Sequence, residues 1–88
     1  MKWVLINRCY GVAELSQFGR ELLGVEFLDD LKRDDIQLIN AFMEHGCKIA
    51  SSHSKFEIVC IDDDTEFYIF DYDGLESIVS GNNLKIYK

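Results

Sequence analysis

The sequence predicts an α+β domain with the order β-α-α-β-β-β and an optional last strand, two helices packing on one face of an antiparallel sheet. The prediction rests on an apolar opening run at Lys2 to Asn7, on helical spacing of apolar residues between Val12 and Met43, and on short apolar runs separated by turn residues from Phe56 onward.

Lys2 to Asn7 alternates only weakly and is rich in Trp, Val and Ile, as a strand buried on both faces would be. Arg8, Cys9, Tyr10 and Gly11 then turn the chain. Val12, Leu15, Phe18, Leu22 and Leu23 recur at helical spacing, which puts helix one between residues 12 and 23, with Ser16 a candidate N-cap inside it and Gly24 its stop. Val25 to Lys32 is a connection in which Phe27, Leu28 and Leu31 are expected to pack on the core. Asp34 or Asp35 caps helix two, whose stripe is Ile36, Leu38, Ile39, Phe42 and Met43, and Gly46 closes it.

Ser51, Ser52, His53 and Ser54 form a polar loop before a strand at Phe56 to Ile61. Asp62 to Thr65 reverses the chain into a strand at Glu66 to Asp71. Tyr72, Asp73 and Gly74 turn it again into Leu75 to Val79, and Gly81, Asn82 and Asn83 lead to an edge strand at Leu84 to Tyr87. The sequence has no internal repeat, no linker, no low-complexity tract and no proline.

A chain of 88 residues supports one hydrophobic core, so residues 1–88 are read as a single domain. Nearly half of them are apolar, which is a globular and not a disordered composition. A domain of this size buries only about 60% of its unfolded surface, so a second copy is one partner left open by the sequence. Runs such as Trp3 to Ile6 and Phe67 to Phe70 fall far below the roughly 20 residues a membrane helix needs, and nothing resembles a signal peptide, so a cytoplasmic protein with no membrane partner is expected. Cys9, Cys47 and Cys60 have no paired spacing and are read as thiols, Cys60 as a core residue.

The net charge of −7 is unevenly distributed. Between Phe56 and Leu84 there is no Lys or Arg, yet Glu57, Asp62, Asp63, Asp64, Glu66, Asp71, Asp73 and Glu76 all fall there. Direct nucleic-acid binding is therefore not expected, because neutralising phosphates dominates such affinity. A partner protein with a basic surface fits better.

Two strings are distinctive, Ile6-Asn7-Arg8-Cys9-Tyr10-Gly11 and Tyr72-Asp73-Gly74-Leu75-Glu76-Ser77. With Leu15-Ser16, Arg33-Asp34-Asp35-Ile36-Gln37-Leu38, Glu44-His45-Gly46 and Ile61-Asp62-Asp63-Asp64, they occur in an order that resembles a family of small, mostly uncharacterised proteins of tailed bacteriophages and prophages. That family has an N-terminal Cys-Tyr-Gly-Gly-Phe motif and a C-terminal Tyr-Asp-Gly-x-Glu motif. The likeness spans almost the whole chain, with Val12 and Ala13 in place of the family's Gly-Phe and Asp62 where its turn has proline. It implies a phage source and no particular activity.

Cys9 at a strand-to-helix turn is a candidate nucleophile, because helix N–H groups lower a thiol pKa, and His45 and His53 are the available bases; the plainer reading makes Cys9 a small buried residue and Tyr10 and Gly11 shapers of the turn. His45, Cys47 and His53 lack the paired spacing of a zinc site, and Asp62, Asp63, Asp64 and Glu66 lack the glycine and distal glutamate of a calcium loop, so neither metal nor cofactor is expected. Residues two apart on a strand lie roughly 6.5–7 Å apart on one face, close to the phosphate spacing of a nucleic-acid strand. Asp62, Asp64 and Glu66, or Asp71 and Asp73, are therefore candidates to face a basic groove, and the alternative is a solvated acidic surface.

The expected function is that of a non-enzymatic phage accessory protein that binds and inhibits a host protein, a defence or nucleic-acid-handling factor. The partner-binding residues are Asp62, Asp63, Asp64, Glu66, Asp71, Tyr72, Asp73 and Glu76, with Tyr68 or Tyr87 as further anchors. The alternatives are a small thiol-dependent enzyme built on Cys9 and a self-assembling structural or scaffolding protein pairing through the edge at Lys85 to Lys88.

Overall fold

Strand β1 (Lys2–Asn7) alternates between two apolar surroundings, and the rest of the chain is arranged around it. The structure, a computed structural model, describes residues 2–63, 66–80 and 85–87, with Ser80 and residues 85–87 described by backbone alone. After β1 come α1 (Gln17–Leu23), a 3-10 turn (Leu28–Asp30), α2 (Ile36–His45), a second 3-10 turn (Gly46–Ile49), β2 (Phe56–Ile61), β3 (Phe67–Tyr72), β4 (Leu75–Ser80) and β5 (Lys85–Tyr87). The α+β class and the element order are those read from the sequence, including the optional final strand.

Backbone hydrogen bonds divide the strands into two antiparallel sheets, β1-β2 and β3-β4-β5, where a single sheet was expected. The cause lies along the free edge of β1. Its Leu5 N–H donates to the Arg33 carbonyl at 2.8 Å and its Asn7 N–H to the Glu76 carboxylate at 2.6 Å, so a loop and a side chain take the place a third strand would fill. Register runs from Lys2 opposite Ile61 to Asn7 opposite Phe56, which puts Leu5 beside Ile58 on one face and Val4 beside Val59 on the other.

The first face meets the helices. Leu5 and Phe56 pack with Leu15, Leu28, Leu38, Ile39, Ala41, Ile49 and Ala50. On the second face Val4, Ile6 and Ile61 pack with Ile78 of β4, and Phe67 and Ile69 of β3 close over them. Each fully buried aliphatic side chain contributes roughly 1.5–3 kcal/mol, so β1 is the element both halves depend on.

Helix one is shorter than its apolar spacing suggested. Residues 12–15 are held extended, because Leu15 bridges Ala50 and the Glu14 carbonyl accepts from Ser51 N–H at 3.0 Å. Ser16 is the true N-cap, its hydroxyl accepting from Gly19 N–H, and Gly24 closes the helix at φ 69°. Val12, Phe18 and Leu22 are consequently exposed, as are Phe27, Ile36 and Met43, all expected in the core. On α1 a small residue makes the close contact instead, Gly19 being its buried residue, while α2 buries Leu38 and Ile39 of the expected stripe together with Ala41. Asp35 caps α2 by accepting from Gln37 and Leu38 N–H, and the Gly46 N–H donates to the Phe42 carbonyl at its end.

A Cβ at Gly19 would stand 2.5 Å from the Ile49 carbonyl oxygen. Gly19→Ala in an exposed helix would stabilise by about 1 kcal/mol. Here the helix must move off the 3-10 turn, so the substitution is expected to destabilise by about 1–3 kcal/mol in urea unfolding. An unchanged or higher midpoint would show that this contact does not limit the packing.

Candidate functional site

The β3-β4 hairpin closes with Tyr72 opposite Leu75, leaving Asp73 and Gly74 as a two-residue loop. Both loop residues have positive φ, 50° and 91°, as a type I′ turn demands, and the Asp71 carboxylate accepts from Gly74 N–H at 2.7 Å. Against this turn lies the chain leaving β1. Gly11 N–H donates to the Asp73 carbonyl at 2.6 Å, and the two backbones approach so closely that a Cβ on Gly74 would overlap the Gly11 carbonyl.

Asn7 joins the pieces. Its buried side chain donates to the Gly74 carbonyl at 2.7 Å and the Cys9 carbonyl at 3.0 Å, and accepts from Lys55 N–H at 2.8 Å. Tyr10 and Tyr72 meet edge to face at 6.5 Å. The two distinctive strings of the sequence are therefore one structural unit, in which a turn residue from each end of the chain backs the other.

Beneath the turns, Glu76 is only 3% exposed. Arg33 grips its carboxylate with both guanidinium arms, at 2.6 and 2.8 Å, and the Asn7 N–H adds a third bond at 2.6 Å. Arg33 also reaches the Leu5 carbonyl at 3.3 Å and Asp29 at 3.4 Å. Burial works against the Arg33 charge, but the bonded Glu76 carboxylate and then Asp29 outweigh it, and the guanidinium pKa is raised above its ordinary value. The group stays charged at any pH at which the protein functions. Glu76 was expected on a partner-binding surface; it is instead committed to the interior of the fold.

The other expected surface carboxylates lie outside. Asp62, Asp63, Glu66, Asp71 and Asp73 are all exposed, while Asp64 falls outside the described residues. Between them β3 presents a row that includes Phe70 beside the expected Tyr68 and Tyr72. Alternation along the strand turns Phe67 and Ile69 inward and Tyr68, Phe70 and Tyr72 outward, and these three are 52%, 54% and 61% exposed. Tyr10 stands beside the row at its Tyr72 end. Tyr87, named as a further anchor, has its side chain outside the described residues.

A cleft of about 810 Å³ opens between β3, residues 11–13 and residues 29–34. Phe67, Ile69 and Leu31 give it apolar wall, and its charged groups are Asp29, Asp34, Asp71 and Glu76 against Lys32 and Arg33.

Cys9 is half-buried and its carbonyl serves Asn7. The extended segment 12–15 separates it from α1, so the helix N–H groups that would activate a thiol do not follow it. His45 packs edge to face on Phe18 at the end of α2, and His53 sits in the serine loop that docks on Val12 and Glu14. Among the described residues no three His, Cys, Asp or Glu side chains gather as metal ligands. Among the same residues no helix is long and apolar enough to cross a membrane.

Against protein-family models, curated proteins and solved structures, the chain has no match.

Two stability outcomes follow from this geometry. Glu76→Gln leaves the buried Arg33 charge without its counter-ion and is expected to cost about 3–5 kcal/mol in urea unfolding, whereas Arg33→Met with Glu76→Leu recovers most of the loss. Equal midpoints for Glu76→Gln and the parent protein would dismiss the ion pair as a structural element. Gly74→Ala and Gly24→Ala share the positive-φ penalty of about 1–2 kcal/mol, but nothing lies within 4 Å of a Cβ at Gly24. Gly74→Ala is expected to be the more harmful, and equal losses would mean that the turns do not bear on one another.

Proposed function

We propose that the protein is a non-enzymatic accessory protein that binds a partner protein with a basic surface and blocks it. The observation that carries this reading is the outward row of Tyr68, Phe70 and Tyr72 on one strand, with exposed Glu66 before it, Asp73 in the turn at its other end, and Asp71 exposed on the opposite face of the same strand. Exposed aromatic side chains in a contiguous row are uncommon on a monomer surface, and tyrosine is among the residue types that dominate binding energy once desolvated. The rim of carboxylates supplies what the aromatics lack, a long-range attraction that speeds encounter with a cationic surface and rejects an acidic one.

The likeness to phage-encoded proteins supports a host protein as the partner. Nucleic-acid-handling and defence proteins carry the basic clefts that such a surface complements. Blocking then needs only occupancy: a row of aromatics seated in the cleft with carboxylates on its cationic rim keeps nucleic acid out.

A tagged protein exposed to host lysate at low and at moderate salt is expected to retain a basic protein that is released as salt rises. Tyr68→Ser with Phe70→Ser and Tyr72→Ser is expected to abolish retention. Asp71→Asn with Asp73→Asn, which keeps the turn because asparagine tolerates positive φ, is expected to slow association by roughly tenfold at low ionic strength. Retention of the same protein by the aromatic variant would overturn the reading.

A further inference from the structure

We infer that the outer edge of β3 accepts one more strand, supplied by an extended basic segment of the partner. The inference rests on the reading of the β3 face as a binding surface, and adds how the partner is held.

Strand β3 stands at the end of the order β3-β4-β5. In a hairpin closed by a two-residue turn, the flanking residues exchange both hydrogen bonds, so Tyr72, Phe70 and Tyr68 bond to β4 through their backbones. Phe67, Ile69 and Asp71 therefore turn their N–H and C=O groups to the outer edge. Proteins commonly blunt such an edge with proline, lysine, a bulge or a very short strand. Here the register runs unbroken over Phe67–Tyr72, and the strand contains neither proline nor lysine. Six residues span about 20 Å, the length of an ordinary strand.

The cleft of about 810 Å³ beside β3 gives an added strand room for its inward side chains, where Phe67, Ile69 and Leu31 offer apolar contact. Its charge selects the occupant. With Glu76 neutralised by Arg33, the remaining Asp29, Asp34 and Asp71 outnumber Lys32, and Asp73 lies just past the end of the strand. A partner segment alternating apolar with Lys or Arg residues satisfies both the backbone and the carboxylates. A second copy of this chain fits less well, since it brings the same net charge of −7 and its own Glu66, Asp71 and Asp73 to the same edge. Strand addition takes affinity from main-chain hydrogen bonds and specificity from alternate side chains, so it needs no preformed deep pocket.

The test uses a fluorescein-labelled synthetic peptide of about six residues, alternating valine and lysine, and two copies of it N-methylated at one or the other set of alternate amides. Only one set faces β3, so one methylated peptide is expected to lose at least about tenfold in affinity by anisotropy while the other binds like the parent. The amide protons of Ile69 and Asp71 are expected to gain protection from exchange on binding the parent peptide. Equal binding of all three peptides would overturn strand addition and leave charge attraction alone, with the broader reading intact. Absence of binding by the parent peptide would also overturn it, whereas the aromatic-variant experiment judges the broader reading separately. Concentration-dependent dimerisation of the protein alone, with Ile69 and Asp71 protected in the dimer, would assign the edge to a second copy instead.

Discussion

The pairing of Arg33 with Glu76 is the interaction on which the arrangement of the two sheets depends. Taking a carboxylate and a guanidinium out of water costs several kcal/mol for each ion, and their attraction offsets this only when the geometry is close and the remaining valences are filled. Both conditions are met. The fork is bidentate, and the Asn7 N–H and the Leu5 carbonyl take up further bonding capacity. Such a pair adds little net stability over well-packed apolar residues, but it fixes a unique position. It ties β4 to the edge of β1 at one register, and the loop of residue 33 to both.

From that fixed point the turns follow. Asn7 ends β1 and immediately holds Cys9, Gly74 and Lys55, so the chain leaving β1 cannot move apart from the hairpin tip. Glycine is required at position 74 because a Cβ there would overlap the Gly11 backbone, and both Gly11 and Gly74 hold positive φ, 120° and 91°. The consequence reaches the surface. With its tip held by Gly11 and its inner face by Val4, Ile6 and Ile78, β3 is anchored at two points while Tyr68, Phe70 and Tyr72 face outward.

Local signals in the sequence were enough for β1, β2 and α2, whose observed bounds match the apolar runs and the caps at Asp35 and Gly46. Ser16 was visible as a cap, yet the helical spacing of Val12 and Leu15 hid the extended segment, because the Leu15 bridge to Ala50 is a contact 35 residues away along the chain. Phe18 and Leu22 looked like core for the same reason: spacing does not report that Gly19 brings α1 too close to residue 49 for large side chains to lie between. The burial of Glu76 leaves no local trace in the sequence. In an acidic stretch nothing in its neighbours separates it from Asp71 or Asp73, and its partner Arg33 is 43 residues away. The outward row was within reach of period-two alternation, which sets Phe70 on the same face as Tyr68 and Tyr72.

Asp71 and Glu76 face each other across one rung of the β3-β4 hairpin, two carboxylates on the same side of the sheet. Like charges so placed repel, and the fold resolves the conflict by giving them different environments. Glu76 is drawn inward to Arg33 and surrenders its hydration; Asp71 stays in water, and one of its oxygens caps the hairpin turn through Gly74 N–H. Because Arg33 cancels the inner charge, the outer one projects its field without a buried anion behind it. Carboxylates on one rung thus divide into one that determines where the strands lie and one that keeps its charge in water. That division lets an acidic surface be built on a small domain without loading its core with uncompensated charge.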